Sequence, residues 1–206
     1  MTSDGWRVFG TYGADRDPGN IHGGTALGRE LENVLERMIT EGGIKSPVTT
    51  RRGLMARMRY LTTHQGGPAA LADAGITATP ATLRAWIRGT RRPRPANAER
   101  IDTAYWTLRA RNVLANPGGL KQHLNRGGRG TSIEIHPVNQ DTVLESRRRD
   151  NLRVRRIQGR YIWDDAVDAM AAGDEAALAA IWVDLIQELD SDYGAYTYVS
   201  QVGLGA

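Results

Sequence analysis

The hydrophobic pattern of the chain changes its period once, at the glycine-rich segment NRGGRG (residues 125–130). Before this segment, apolar residues recur at steps of three and four, which is typical of amphipathic helices. After it, TSIEIHPV (residues 131–138) alternates apolar and polar residues, as a half-buried strand does. The change predicts an α+β protein, with an all-helical N-terminal half followed by a small C-terminal α+β unit.

The helical half contains five predicted helices, which glycines and prolines separate. The first begins at Thr25 and ends at Gly42-Gly43, and the others lie within residues 53–64, 68–75, 80–89 and 96–115. Residues 1–24 have little periodicity and predict an irregular arm, and Asn116-Pro117-Gly118-Gly119 predicts the end of the last helix. In the second helix the apolar stripe is Leu54, Met58 and Leu61, with Arg57 and Arg59 expected outside it.

The C-terminal third predicts a second strand within residues 151–163, two acidic helices that meet at Gly173, and a closing strand over 195–204. We therefore expect three segments. These are an arm with an amphipathic helix (1–50), a helical DNA-binding domain with a helix-turn-helix (51–126), and a small α+β domain with acidic helices (127–206).

Charge is distributed unevenly along the chain. Residues 51–160 hold 22 basic and 7 acidic residues (+15), whereas residues 161–206 hold no basic residue and 9 acidic ones (−9). Because 25 of the 27 basic residues are Arg, a GC-rich genome is an alternative source of their abundance, although not of their clustering. A basic centre of this kind is typical of a protein that binds a polyanion.

The most basic short stretch follows the fourth predicted helix. Two short helices around a glycine, with cations on the second, fit the helix-turn-helix plan, in which the second helix enters the major groove. Thr79 stands before Pro80 as an N-cap. The predicted DNA-binding residues on this helix and in the basic loop after it are Thr79, Thr82, Arg84, Arg88, Arg91, Arg92 and Arg94. The segment from Gly75 to Leu83 is longer than a compact turn, and an ordinary helical bundle with an Arg-rich surface is the alternative.

Several function classes lack their sequence signatures. The chain has no cysteine, so disulfides, cysteine-ligated zinc and thiol catalysis are excluded, and its four His show no metal-ligand spacing. There is no P-loop and no G-x-S-x-G motif, and GGRGTS precedes a strand instead of opening a helix. Asp164, Asp165 and Asp168 have a spacing compatible with magnesium, but acidic residues in a first helical turn favour a solvated helix start. We expect neither a metal nor a cofactor, and no enzymatic activity.

The order of these pieces resembles the terminal proteins of linear replicons in Streptomyces-type actinobacteria. The resemblance lies in ARMRYLTTHQGGPAALADAG, TLRAWIRGTRRPRPANAERI, GRGTSIEI and GRYIWDDAVDAMAAGDEAALAAIWVDLIQEL with the closing strand after it, and it covers about residues 53–204. The N-terminal 50 residues and the long turn depart from the family.

The resemblance implies a protein that caps the telomeres of linear DNA and primes end replication through a side-chain hydroxyl. In this sequence the hydroxyl would be Thr131 or, second, Ser132, with Arg126 and Arg129 contacting phosphate nearby. The implied partners are double-stranded or end DNA, a DNA polymerase and a telomere-binding protein. The protein would be the substrate of the polymerase, which would transfer a nucleotide to the hydroxyl.

Two alternatives stay open at this point. One is a transcriptional or plasmid regulator whose C-terminal unit dimerises or binds an effector. The other is a structural protein that self-assembles as a homo-oligomer by pairing its basic middle with its acidic end. No stretch approaches a membrane span and the N-terminus lacks a signal-peptide core, so a cytoplasmic, nucleoid-associated location is expected.

Overall fold

The computed structural model of the protein describes residues 21–140, 144–150 and 152–205. In this part the chain forms eight α-helices and a four-stranded antiparallel sheet, which confirms the α+β class with a helical N-terminal part. The helices are α1 (Gly23–Glu41), α2 (Arg51–Thr63), α3 (Gly67–Asp73), α4 (Pro80–Arg88), α5 (Pro95–Leu114), α6 (Pro117–Asn125), α7 (Trp163–Ala172) and α8 (Glu175–Ile186). The strands are β1 (Ile21–His22), β2 (Thr131–Pro137), β3 (Arg155–Gly159) and β4 (Tyr198–Leu204). None of the described helices is both long and apolar enough to cross a bilayer.

The chain divides into two compact units. In the described residues these are a helical unit, 37–115, and a sheet unit, 21–36 together with 116–205. The division differs from the expected boundary within 125–130, and it places most of α1 with the C-terminal part of the chain. The reason is packing: β1 pairs with β4, and a Cβ placed on Gly24 would lie 2.7 Å from the Cα of Ala179 in α8.

The helical unit is built around α2 and α5. Both α3 and α4 pack on α2, and α3 also packs on α5. The apolar stripe predicted for α2 is confirmed, since Leu54, Met58 and Leu61 are all buried. They form one core with the residues Ala70, Leu71, Ile76, Trp86, Ile101, Ala104, Tyr105 and Leu108.

The expectation that Arg57 lies outside the α2 stripe is wrong. Arg57 is 4% exposed, and its guanidinium pairs with Asp102 of α5. It also donates to the carbonyls of Ser46, Gly53 and Ile44, at 2.6, 3.3 and 3.4 Å. A buried cation needs such a set of partners, because an unpaired charge in the interior is strongly unfavourable. Arg57 therefore joins α2, α5 and the segment before α2 from inside the core.

The sheet has the strand order β1-β4-β2-β3. In β2, Thr131, Ile133 and Ile135 are buried while the residues between them are partly exposed, which confirms the predicted alternation. The closing strand and the two acidic helices that meet at Gly173 are also confirmed, and Gly173 adopts φ +67°.

Two elements of the sheet unit were not expected. Residues 21–22 form β1 and Gly23–Gly24 open α1, so this part of the predicted irregular arm is wrong, while residues 1–20 lie outside the described part. Helix α5 ends before Asn116, as predicted, but α6 begins inside the same segment, with Pro117 in its first turn, where proline is tolerated. Leu120 and Leu124, one turn apart, form the buried face of α6.

Candidate nucleic-acid interface

Helix α4 is defined by a cap at each end. The Oγ1 of Thr79 accepts a hydrogen bond from the backbone N–H of Thr82 at 3.2 Å, which confirms the predicted N-cap. At the other end Gly89 adopts φ +71°, and the N–H groups of Gly89 and Thr90 bond back to the carbonyls of Trp86 and Ala85. This paired C-terminal arrangement needs a residue with positive φ, for which glycine carries the smallest steric cost. The helix is thus fixed in length at nine residues.

The connection between α3 and α4 is extended, as the sequence indicated. It spans six residues, 74–79, where a compact helix-turn-helix uses three or four. Gly75 ends α3 with φ +75°, and the N–H of Ile76 bonds to the Leu71 carbonyl at 2.9 Å. Ile76 is buried in the core of the helical unit. The extra residues therefore place an additional apolar side chain under the two helices.

The two faces of α4 differ in character. Trp86 is 4% exposed, and Leu83 and Ile87 pack against the core. Arg84 and Arg88, one turn apart, are exposed, as predicted. The exposed face therefore presents guanidinium groups to solvent along the whole second half of the helix.

The two threonines predicted to contact DNA are engaged within the helix start. Thr79 is exposed and Thr82 is partly buried, and their hydroxyl oxygens lie 3.1 Å apart. Because Thr79 Oγ1 also caps the helix, a base contact by this hydroxyl would compete with the cap. The arginines are accordingly the stronger candidates for base contacts.

The segment after α4, residues 89–94, is here called the basic exit. Its three arginines, Arg91, Arg92 and Arg94, are all exposed. Within the described part of the chain, no carboxylate pairs with them or with Arg84 and Arg88. Pro95 then starts α5, so the exit is short and bounded by a helix on each side. Five unpaired guanidinium groups thus lie within eleven consecutive residues.

Other arginines of the helical unit have structural partners. Arg100 donates to the Gly75 carbonyl at 3.2 Å. Arg109 donates to the carbonyls of Ile39 and Met38, at 2.7 and 2.9 Å. Together with Arg57 these side chains hold backbone carbonyls at the ends and connections of helices. Not every cation of the basic centre is therefore available to a polyanion.

The helical unit keeps a strong positive charge nonetheless. Residues 37–115 hold 14 basic and 4 acidic residues, a net charge of +10. One of the four carboxylates, Asp102, is already paired with Arg57. Such a field attracts a polyanion and raises its rate of association.

A cleft of about 240 Å³ lies beside the basic exit. Its lining includes Arg91 and Arg92 as well as Leu54, Met55 and Trp86. The buried indole N–H of Trp86 has no acceptor among the described residues, although an indole N–H is usually hydrogen-bonded when buried. The basic exit thus runs along the edge of a largely apolar recess.

The region predicted to carry a priming hydroxyl lies in the sheet unit, at the start of β2. Thr131, the first candidate for this hydroxyl, is only 2% exposed, and its hydroxyl donates to the Leu124 carbonyl at 2.6 Å. The cause is the strand alternation, which places Thr131 on the buried face with Ile133. Ser132 is on the other face and partly exposed, and Arg126 and Arg129 beside it are exposed.

The three aspartates at the start of α7 do not converge on a shared point. Asp164 accepts a hydrogen bond from the side chain of Asn125 at 3.0 Å, and Asp168 pairs with Lys121 at 2.7 Å. The hydrogen bond to Asp168 raises the pKa of Lys121 above its ordinary value. Among the described residues no group of three or more His, Asp or Glu has the geometry of a metal site.

No protein-family model, no curated protein and no solved structure matches this chain.

Proposed function

We propose that the protein binds double-stranded DNA through the helical unit, with α4 in the major groove and the basic exit on the phosphate backbone. The observation that carries this proposal is the run of five exposed arginines on α4 and the basic exit, none of which pairs with a carboxylate in the described part of the chain. Solvated surface arginines usually alternate with acidic residues, whereas residues 80–98 contain no acidic residue.

The dimensions of α4 suit this role. The major groove, about 12 Å wide, admits an α-helix, which is about 10–12 Å across with its side chains. The nine residues of α4 give it a length of about 13 Å. Arg84 and Arg88 extend from the face opposite Trp86, and a guanidinium group pairs well with the O6 and N7 of guanine. The basic exit begins where the helix ends, so its arginines follow the strand that borders the groove.

The test compares two double variants with the same change in charge. In Arg84→Ala/Arg88→Ala the exposed face of α4 loses its cations, and in Arg59→Ala/Arg111→Ala two other exposed arginines, one in α2 and one in α5, are removed. Fluorescence anisotropy of a labelled DNA duplex measures the dissociation constant of the full chain. We expect the α4 variant to bind at least about tenfold more weakly, since each good base contact contributes about 1–3 kcal/mol.

The control variant should bind within about twofold of the parent protein, because it changes only the long-range field. Equal losses in the two variants would mean that total charge, and not α4, determines binding. Circular dichroism of each variant establishes that the fold is intact.

The resemblance to terminal proteins supports a more specific role, in which the bound DNA end is covalently joined to the protein. Ser132 is then the better candidate for the priming hydroxyl, because Thr131 is buried and its hydroxyl donates a hydrogen bond to the Leu124 carbonyl. Mass spectrometry of protein isolated with the DNA of its host, after nuclease digestion, tests this role. A nucleotide phosphodiester on Ser132 is the expected result, and its absence would favour a regulator.

A further inference from the structure

One end of the sheet carries a second basic surface. The strands β4, β2 and β3 are neighbours, and the C-terminal ends of β4 and β3 lie beside the N-terminal end of β2. Arg126 and Arg129 precede β2, while Arg160 and Tyr161 follow β3. We call these four residues the basic sheet end.

Backbone contacts hold the two segments of the basic sheet end together. Thr131 pairs with Gly159, and the side chain of Gln158 donates to the Arg129 carbonyl at 3.0 Å. A Cβ placed on Gly130 would lie only 1.9 Å from the Gly159 carbonyl oxygen and 3.2 Å from Cγ of Arg160. Because the two chain segments touch, their side chains share one surface patch.

The arginines of this patch face solvent without acidic partners. All three are exposed, and in the described part of the chain no carboxylate forms an ion pair with any of them. Of the three aspartates at the start of α7, Asp168 is paired with Lys121, whereas Asp164 accepts a hydrogen bond only from the neutral Asn125 amide. The three guanidinium groups outnumber the carboxylates of Asp164 and Asp165, which have no ion-pair partner among the described residues, so the patch keeps a net positive charge next to α7.

Tyr161 is the unusual member. Its side chain is 86% exposed, more than any other large hydrophobic side chain among the described residues, and its backbone has φ +61°. A positive φ is unfavourable for an aromatic residue, and glycine would adopt it without that cost. Because the ring is so exposed, packing contacts within the protein do not offset this strain. Strained, exposed residues of this kind occur at binding sites.

From this juxtaposition of an exposed, strained Tyr161 with Arg126, Arg129 and Arg160 at one sheet end, we infer that the protein binds single-stranded DNA there. An unpaired base stacks on the Tyr161 ring, and the guanidinium groups neutralise the phosphates on either side. Aromatic side chains next to a positive groove are the general means of holding single strands, because every base has a face that can stack. A duplex cannot use the ring in this way, since its bases are already stacked.

This site goes beyond the proposed duplex binding and lies in the other unit of the protein, so the two are tested separately. Full-length protein is titrated into a labelled deoxythymidine oligonucleotide and, in parallel, into a labelled blunt duplex. Tyr161→Ala should weaken oligonucleotide binding by roughly five- to hundredfold and leave duplex binding unchanged. Tyr161→Phe keeps the aromatic ring and should bind the oligonucleotide as the parent protein does.

Tyr193→Ala is the matched control, because Tyr193 is also exposed in the sheet unit but follows the acidic residues Asp190 and Asp192. It should leave both affinities unchanged. Undiminished oligonucleotide binding by Tyr161→Ala, or an equal loss in Tyr193→Ala, would overturn the inference. Absence of duplex binding with a retained Tyr161 effect would refute only the role of α4.

The strain gives an independent readout. Tyr161→Gly should melt at a higher temperature than Tyr161→Ala, because glycine adopts the positive φ more readily, and yet bind the oligonucleotide as weakly as Tyr161→Ala does. A lower melting temperature for Tyr161→Gly would contradict the interpretation that strain is retained at this position for binding.

Discussion

Replacing Arg57 by Met should lower the free energy of unfolding of the helical unit far more than replacing any exposed arginine does. The side chain is 4% exposed and satisfies Asp102 and three backbone carbonyls at once. Its guanidinium also lies 5.2 Å from the centre of the Tyr105 ring. Met approximates the aliphatic part of the side chain, so the loss is mainly that of the charged group.

The magnitude follows from the partners that are left. Removing one member of a buried ion pair typically costs about 3–5 kcal/mol. Asp102 has 34% of its side chain exposed and recovers part of its hydration, which places the expectation at the lower end, about 3 kcal/mol. The loop carbonyls of Ser46 and Ile44 lose a donor, whereas Gly53 keeps its bond within α2.

The matched control is Arg59→Met, two residues along the same helix. Arg59 is exposed and should change the free energy of unfolding by no more than about 0.5 kcal/mol. Hydrogen exchange of α2 and α5 peptides as a function of urea measures the unfolding of this unit apart from the sheet unit. Equal effects of the two variants would refute the assignment of Arg57 as a structural cation.

Three further predictions concern the sheet unit. Gly24→Ala should lower the free energy of unfolding by about 1–3 kcal/mol, because the new methyl group meets the backbone of α8; thermal denaturation measures this. Thr131→Val should cost about 1–3 kcal/mol in urea denaturation, since the buried Leu124 carbonyl loses its donor. The hydrogen bond from Arg156 lowers the pKa of Glu134 below its ordinary 4.5. The ionised Glu134 carboxylate therefore stabilises the fold fully above pH 4.5, and this stabilisation is lost as the pH falls through the lowered pKa. In Glu134→Gln, the melting temperature should depend less on pH in this acidic range.

Much of the fold could be predicted from the sequence, because local periodicity and turn residues agree with the final packing. The stripe Leu54, Met58 and Leu61 and the Thr79 cap are local features, and both are present in the structure. Arg57 lies three residues after Leu54 and one before Met58, on the apolar face. Its residue type suggested exposure, and the partner that permits its burial is 45 residues away.

The sequence did not predict α6 or β1, because the local sequence pattern for each is weak or is contradicted by neighbouring residues. Pro117, Gly118 and Gly119 indicate a helix end, and only the spacing of Leu120 and Leu124 favoured α6. The strand β1 has two residues, too few to show an alternation.

The two candidate sites also differ in how far local sequence patterns predict them. The exposed arginines of α4 followed from the helix period, whereas the basic sheet end depends on the register of β2 with β3, which brings distant residues together. The burial of Thr131 could have been predicted from the alternation with Ile133 and Ile135, which places these three residues on one face of β2.

The salt dependence of duplex binding tests the central claim most directly. The full chain and the triple variant Arg91→Ala/Arg92→Ala/Arg94→Ala are compared by anisotropy over a range of salt concentrations. Each phosphate contact contributes about 0.9 to the slope of log affinity against log salt concentration, so loss of the basic exit should reduce the slope by up to about 2.7. An unchanged slope, or no measurable duplex binding by the parent protein at low salt, would contradict DNA recognition through α4 and the basic exit.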